Sequence, residues 1–133
     1  MNHFLLVIGF PTQFVYPIIA QGVSLAGFSG YTLICYTSRE SDLPPTSTLA
    51  VQWLDPRGNI ISAGENFTIS GTGPTSNDSL TSRLVFNSLY TSQAGEYTCR
   101  TLQTIPGTVI NHPELVTFTV PVKCEFSVHA ELL

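Results

Sequence analysis

The residues of this chain with the most distinctive chemistry are its three cysteines, Cys35, Cys99 and Cys124. Three thiols cannot all pair within one molecule. One cysteine therefore either stays reduced or forms a disulfide with another molecule. Which two of them bond to each other depends on the elements that bring them together.

The histidines and acidic residues do not form a catalytic or metal-binding pattern. His3, His112 and His129 lie far apart, without the short spacings of a zinc site. Glu40 and Asp42 are close in sequence, but a solvated polar loop explains them better than acid–base catalysis. The chain also lacks a Gly-x-Ser-x-Gly elbow and a glycine-rich phosphate loop. We therefore expect no catalytic residue, no metal and no cofactor.

Two triplets match the acceptor motif for N-glycosylation, Asn66-Phe67-Thr68 and Asn77-Asp78-Ser79. Such triplets also arise by chance in a chain rich in Ser and Thr. Asn77 is the better candidate, because it falls in a stretch that we expect to be exposed. Asn66 borders a predicted strand, which brings it close to a sheet.

The composition excludes one broad class of partner. The net charge is −4 and only five residues are Lys or Arg, so no basic patch is available for a phosphate backbone and we expect no nucleic-acid binding. Hydrophobic residues make up 43% of the chain, enough for the core of one domain, whereas charged residues make up only 11%. No uninterrupted apolar run reaches about 18 residues, so we expect no membrane insertion within this chain.

The strongest structural pattern lies in residues 84–99. Leu84 and Phe86 alternate with less apolar neighbours, which is the period of a strand with one buried face. Gly95 then marks a bend, after which Tyr97 and Cys99 alternate in the same way. This stretch predicts two strands that share one core.

Two stretches upstream show the same alternation. Residues 31–35 end at Cys35, and residues 51–54 contain Trp53. Together with Tyr97 and Cys99 they resemble the framework of an immunoglobulin domain, in the same order along the chain. The resemblance covers roughly residues 21–122.

The resemblance implies an all-β fold, an immunoglobulin-like two-sheet antiparallel sandwich. It implies that Cys35 and Cys99 are bonded across the sheets against Trp53, and that Tyr97 forms the tyrosine corner of a core that includes Leu84. The 64-residue separation of the cysteines (99 − 35) favours an intermediate or variable type. Gln93 departs from the family, which usually has Asp there.

Both ends of the chain have two interpretations. Residues 1–20 are either a signal peptide, with Ala20 before the cleavage point, or an edge strand A between Thr12 and Ile18. Residues 21–122 are the predicted immunoglobulin-like domain, and residues 123–133 are a tail or the start of a further module. Cys124 lies in that segment, as an unpaired thiol or as an intermolecular disulfide.

The remaining pattern predicts the secondary elements between the framework residues. We expect a turn at residues 55–59, a short C′ strand at Ile60-Ile61, and a C′ or D strand within Glu65–Ser70. Residues 71–78 carry too little apolar surface to be strongly ordered, which predicts a mobile surface loop. Strand F continues to Ile105, and strand G covers Leu115–Val120.

The function implied by the resemblance is non-catalytic recognition outside the cell, as a module of an adhesion molecule or cell-surface receptor. The expected partner is a protein ligand or a neighbouring immunoglobulin-like domain. A soluble secreted immune-type binder is the alternative, and a carbohydrate-binding module is a weaker one. The disulfide and the acceptor triplets favour a secreted or ectodomain location.

The expected contact region is the end of the sandwich where two loops converge, Thr37–Thr48 and Thr104–Pro113. The second loop is unusually apolar, although Val109 and Ile110 have the alternative of extending strand G and packing inward. Many adhesion modules instead use a sheet face, here the one that carries Gln52, Leu54, Thr98 and Arg100. The candidate contact residues in the loops are Arg39, Ile105, Val109, Ile110 and His112.

Overall fold

Alternating apolar and polar residues set the strands of this structure, a computed structural model that describes residues 14–39, 44–107 and 113–124. A short 3-10 helix covers Thr91–Gln93. The strands within the described residues are β1 (Phe14–Val15), β2 (Ile19–Gln21), β3 (Tyr31–Ser38), β4 (Thr48–Leu54), β5 (Phe67–Ser70), β6 (Ser79–Phe86), β7 (Gly95–Thr104) and β8 (Glu114–Val120).

The strands form two antiparallel sheets. In the first sheet β1, β3, β6 and β5 lie side by side in that order, and β2 also pairs with β3. In the second sheet the order is β4, β7, β8. This is the A-B-E-D and C-F-G arrangement of an immunoglobulin-type sandwich, so the all-β prediction is confirmed.

The core lies between the sheets and is centred on the predicted disulfide. Cys35 of β3 and Cys99 of β7 are bonded, with Cα atoms 6.4 Å apart. Trp53 pairs with Cys99 in the register of β4 and β7, and Leu33 pairs with Leu84 across β3 and β6. All five side chains are at most 1% exposed. Burying a large apolar side chain to this extent stabilises the fold by roughly 1.5–3 kcal/mol.

Trp53 also brings a polar atom into the core. Its indole Nε1 donates to Ser82 Oγ over 2.9 Å, and Ser82 Oγ donates to the Ser70 carbonyl oxygen over 2.8 Å. Ser82 is completely buried. This relay of two hydrogen bonds connects the second sheet to β6 and to the end of β5. It also gives the buried indole N–H an acceptor, without which its burial would be costly.

Tyr97 makes the contact expected of a tyrosine corner. Its hydroxyl donates to the Gln93 carbonyl oxygen over 2.7 Å, at the end of the 3-10 helix. Burial, and then the charge of Asp55, raise the pKa of Tyr97 to about 12. Gln93 has a second role, because its side-chain Oε1 accepts from the Tyr90 backbone N–H over 2.8 Å. Gln93 therefore closes this turn with an amide where the family usually has a carboxylate.

The first described residues pair with β3. β1 joins it at Phe14 opposite Ser38, and β2 joins it at Ile19 opposite Ile34. After β2 the chain reaches the segment that follows β8, where Leu25 forms an isolated parallel bridge with Lys123. Removal of residues 1–20 from the mature protein stays a prediction.

The predicted C′ strand is wrong in extent. Ile60 makes a single antiparallel bridge to Leu54, and Ile61 donates its N–H to the Trp53 carbonyl, but no strand continues from them. The stretch that was ambiguous between C′ and D is β5, which pairs with β6 and is therefore strand D.

The loop predicted at residues 71–78 is not loosely held. Thr75 exchanges two backbone hydrogen bonds with Leu49, of 2.8 and 2.9 Å, and the Thr72 carbonyl accepts from Val51 over 3.0 Å. The segment thus leaves the first sheet after β5 and docks along the outer edge of β4. It covers the edge where a C′ strand was expected. Composition did not reveal this, because backbone groups make the contacts.

Within the described residues, no helix is long and apolar enough to cross a membrane.

Candidate functional site

The structure describes only part of the loop end. β3 and β4 extend into the predicted first loop, so the connection between them is residues 39–47, of which residues 40–43 lie outside the described part. Val109, Ile110 and His112 also lie outside the described residues. Ile105 is half-buried just beyond β7. These four residues stay candidate contacts.

Arg39 does not face outward. Its side chain is only 5% exposed, and its guanidinium donates to the Ser47 carbonyl and hydroxyl, to the Ser76 carbonyl, and to the Asn77 carbonyl over 2.6 Å. The Arg39 backbone N–H donates to the Asp78 carbonyl over 2.8 Å. The hydrogen bonds of Arg39 therefore hold the connection between β3 and β4 against the segment before β6. The premise that it is an exposed loop residue is wrong.

The three strands of the second sheet lie within the described residues, and the outer face of this sheet carries the other predicted site. Side chains alternate along β4, β7 and β8, so every second residue points away from the core. The register aligns Gln52 with Arg100 and Arg100 with Leu115, and it aligns Leu54 with Thr98. We call this surface the Arg100 face; its residues are Ala50, Gln52, Leu54, Ile60, Thr98, Arg100, Leu102, Leu115 and Thr117.

Arg100 lies at the centre of this face. Its Nε and one terminal nitrogen both donate to Gln52 Oε1, with an Nε–Oε1 distance of 3.0 Å. Among the described residues, the guanidinium of Arg100 has no carboxylate within 4.0 Å. Gln52 therefore orients the guanidinium, and within the described part of the chain no carboxylate neutralises its positive charge.

Apolar side chains lie on the same face as that charge. Leu115 is 61% exposed and Ile60 is 56% exposed, although both are large aliphatic residues. Leu54 and Leu102 are half-buried on the same face, and the bridge between Ile60 and Leu54 extends the apolar surface beyond the edge of β4. Sequence alternation predicted which residues point outward, but not that Ile60 joins them.

Other predicted sites have the following positions. Asn66 and Asn77 are both exposed, Asn66 immediately before β5 and Asn77 just before β6. Cys124 is exposed and unpaired. In the described part of the chain, no group of three or more His, Cys, Asp or Glu residues could hold a metal ion.

No family model matches this chain, and no curated protein sequence matches it. Among solved structures, it is similar to a chain of the complex of Dpr2 Ig1-Ig2 with DIP-Theta Ig1-Ig3, at 16% identity and a TM-score of 0.48. That match covers 86% of this chain, which spans only 32% of the other.

Two further solved structures are similar over most of both chains. The BTLA ectodomain matches at 14% identity and a TM-score of 0.44, over 83% of this chain and 100% of that chain. The ZP-N1 domain of the ZP1 homodimer, from work on egg coat filament cross-linking, matches at 13% identity and a TM-score of 0.42. That match covers 84% of this chain and 99% of the other.

The geometry of the chain itself assigns its fold. Two antiparallel sheets of A-B-E-D and C-F-G order are joined by the Cys35–Cys99 bond, with Trp53 beside it. Tyr97, two residues before the second cysteine, bonds back to the preceding turn. With these features in place, the described residues form an immunoglobulin-like sandwich fold.

Proposed function

We propose that this chain is a non-catalytic recognition module that acts outside the cell, in a receptor, an adhesion molecule or a secreted protein. The Cys35–Cys99 disulfide supports the location, because such bonds persist in oxidising compartments. Since the fold alone does not fix a function, the proposal depends on a specific surface.

The observation that carries the proposal is the guanidinium of Arg100, which no carboxylate of the described residues neutralises, on a face that also carries exposed aliphatic side chains. Arginine is enriched among the residues that contribute most to protein–protein interfaces, and exposed apolar patches often mark contact sites. Leu115, more than half exposed, provides apolar area next to the guanidinium. Gln52 holds that guanidinium in one orientation, which lowers the entropy lost on binding.

The chemistry of this face defines its partner. Burying Arg100 without a counter-charge would be costly, so the partner must bring a carboxylate to it. Leu115, Leu54 and Ile60 require apolar side chains around that carboxylate. A sheet face of this kind suits a folded protein surface, whereas small ligands prefer concave sites. The proposed partner is therefore another extracellular domain with an acidic residue in an apolar patch.

A binding screen with matched variants tests the proposal. The full chain, displayed as a tetramer, is applied to cells that each express one ectodomain from a defined collection. Leu115→Asp should reduce binding to the selected ectodomain at least tenfold. The new carboxylate is exposed in the free domain, but binding would bury it beside the carboxylate brought by the partner. Arg83→Glu is the control, since Arg83 is exposed on the first sheet and faces the other way.

The loop end provides the competing outcome. Ile105→Asp changes the apolar residue that begins the connection after β7. If this variant loses binding while Leu115→Asp keeps it, the contact surface is the loop end and the Arg100 face is not the site.

A further inference from the structure

A cavity of about 460 Å³ opens at the end of the sandwich, where the tyrosine corner meets the turn after β4. Its volume is within the range of small-ligand sites. The residues around it include Asp55, Arg57, Asn66, Phe67, Ser92 and Gln93. Tyr97 of the core lines one side of this cavity, no residue of the Arg100 face lines it, and one of its lining residues is a glycosylation candidate.

The walls of the cavity combine polar groups with an apolar surface. Arg57 and Ser92 supply hydrogen-bond donors, and Asp55 supplies a carboxylate. Asp55 is fixed in place because its Oδ1 accepts the backbone N–H groups of Arg57 and Asn59, each over 2.9 Å. Phe67 contributes an aromatic ring, which packs edge-on against the core. A sugar ring has hydroxyl groups at its rim and C–H groups on its faces, which matches this combination.

Asn66 lies on the rim of the cavity with its backbone held. The Asn87 backbone N–H donates to the Asn66 carbonyl over 3.0 Å, and Asn87 Nδ2 donates to the Glu65 carbonyl over 3.0 Å. Thr68, the third residue of the acceptor triplet, donates its hydroxyl to Asn87 Oδ1 over 2.7 Å. One side chain thus fixes the loop that would carry a glycan, while Asn66 itself is exposed.

We propose that Asn66 carries an N-linked glycan and that its first N-acetylglucosamine folds back into this cavity. The inference rests on the proposed extracellular location. In the secretory pathway a lipid-linked oligosaccharide diphosphate is the co-reactant. Asn66 Nδ2 forms a bond to C1 of the sugar, the bond from C1 to the lipid diphosphate breaks, and the amide loses one proton. The sugar is transferred to the unfolded chain. At that stage the Thr68 hydroxyl does not yet donate to Asn87 and is available to the transferase.

The two acceptor triplets then differ in the folded protein. Asn77 is exposed and does not line the cavity. A glycan on Asn77 would extend into solvent, whereas the first sugar on Asn66 would be packed against Phe67 and Arg57. The folded domain should therefore protect only the Asn66 linkage from an amidase that cleaves the bond between asparagine and sugar.

The test uses the full chain, placed behind a heterologous leader and secreted from eukaryotic cells. Site occupancy is measured by mass spectrometry on the wild type, Asn66→Gln and Asn77→Gln. Release of the Asn66 glycan by an amidase that cleaves the Asn–sugar bond is then followed in native and denatured protein. We expect release from native protein to be at least tenfold slower.

Two cavity variants link that protection to the cavity. Ala94→Arg fills the cavity and Arg57→Ser removes a donor; both residues line it and are exposed. Each should bring the native release rate close to the denatured rate, in protein that retains the Cys35–Cys99 bond.

Two results would overturn the inference. One is an unmodified Asn66 in secreted, disulfide-bonded protein; the other is an Asn66 glycan released equally fast from native and denatured protein. Neither result bears on the partner screen, which can be run on Asn66→Gln, so the proposed function and this inference fail separately.

Discussion

At the scale of single residues, the core depends on a few polar atoms that each have a specific partner. The indole of Trp53 reaches Ser82, and the hydroxyl of Tyr97 reaches the Gln93 carbonyl. Trp53 and Tyr97 are both buried residues, like the two cysteines of the disulfide. Loss of either acceptor or donor therefore costs more than the small net energy of an exposed hydrogen bond.

Ser82→Ala tests the relay from Trp53. The substitution removes the acceptor of the indole N–H and the donor to the Ser70 carbonyl, and leaves the indole group buried without a partner. We expect a loss of about 1–3 kcal/mol in the free energy of unfolding, measured by urea denaturation. Ser92→Ala, an exposed serine in the 3-10 helix, is the control and should stay within about 0.5 kcal/mol. Equal midpoints for the two variants would contradict the relay.

Tyr97→Phe tests the tyrosine corner and its pH dependence. At neutral pH the variant should lose about 1 kcal/mol, because the bond to Gln93 is gone. The pKa of Tyr97 is raised to about 12 in the folded protein, against about 10 when unfolded. The neutral phenol therefore stabilises the folded state fully below pH 10, and this contribution is lost as the pH rises through 12.

The Tyr97→Phe variant has no phenol to ionise at this position, so it does not lose stability in this way as the pH rises. The advantage of the wild type should shrink above pH 10 and reverse near pH 11, because a two-unit difference corresponds to roughly 2–3 kcal/mol when fully expressed. Urea denaturation of both proteins from pH 8 to 11 measures this. A constant difference between them across that range would show that Tyr97 is not shielded as described.

Arg39→Gln tests the hydrogen bonds that the Arg39 guanidinium makes at the loop end. The guanidinium of Arg39 donates to carbonyl groups on both sides, and its side chain is almost fully buried. We expect the variant to lose about 1.5–3 kcal/mol in the free energy of unfolding, as for bonds to charged groups. Arg57→Gln is the matched control, because Arg57 is exposed in the turn after β4. A change below about 0.5 kcal/mol in both variants would restore Arg39 as an exposed loop residue.

At the scale of elements, the edge of β4 distinguishes this domain from the pattern that its sequence predicts. The segment after β5 docks on that edge by three backbone hydrogen bonds. Gly71 makes the docking possible: its φ is +70°, and a Cβ atom there would overlap the Thr81 carbonyl oxygen. The chain can then leave β5 and cross to the second sheet in a tight turn.

Gly71→Ala tests the docking against a matched glycine. Gly58 has a φ of +86°, but an added Cβ atom would meet nothing within 4 Å. Gly58→Ala should cost about 1–2 kcal/mol for its backbone conformation alone. Gly71→Ala should cost a further 1–3 kcal/mol or so, because the overlap must be relieved by moving β6 or the segment. Equal losses in thermal or urea denaturation would show that the close approach to Thr81 is absent.

The contrast between local and distant contacts explains what the sequence could predict. Cys35, Trp53 and Tyr97 were recognisable because strand alternation around each of them is a local property. The partners of Arg39 lie up to 39 positions away (78 − 39), and no alternation records such a contact. The docking of residues 71–75 was missed for a similar reason, since the bonding groups belong to the backbone and are common to every sequence.

At the scale of the whole molecule, the two sheets present different outer surfaces. The second sheet carries Arg100 within exposed aliphatic side chains, whereas the outer face of the first sheet carries Arg83. Since the disulfide fixes the sheets together, a variant on one face leaves the other face in place. A variant at Arg83 therefore serves as the control for a variant at Arg100 in a binding experiment.

The measurement that tests the proposed recognition most directly compares two charge reversals, Arg100→Glu and Arg83→Glu. Each is titrated against the ectodomain selected by the wild type, after its disulfide and thermal unfolding have been checked. We predict that Arg100→Glu weakens binding at least tenfold, because its carboxylate would face the carboxylate of the partner, while Arg83→Glu binds within twofold of the wild type. If Arg100→Glu binds as tightly as the wild type, or if Arg83→Glu alone loses binding, the Arg100 face is not the recognition surface.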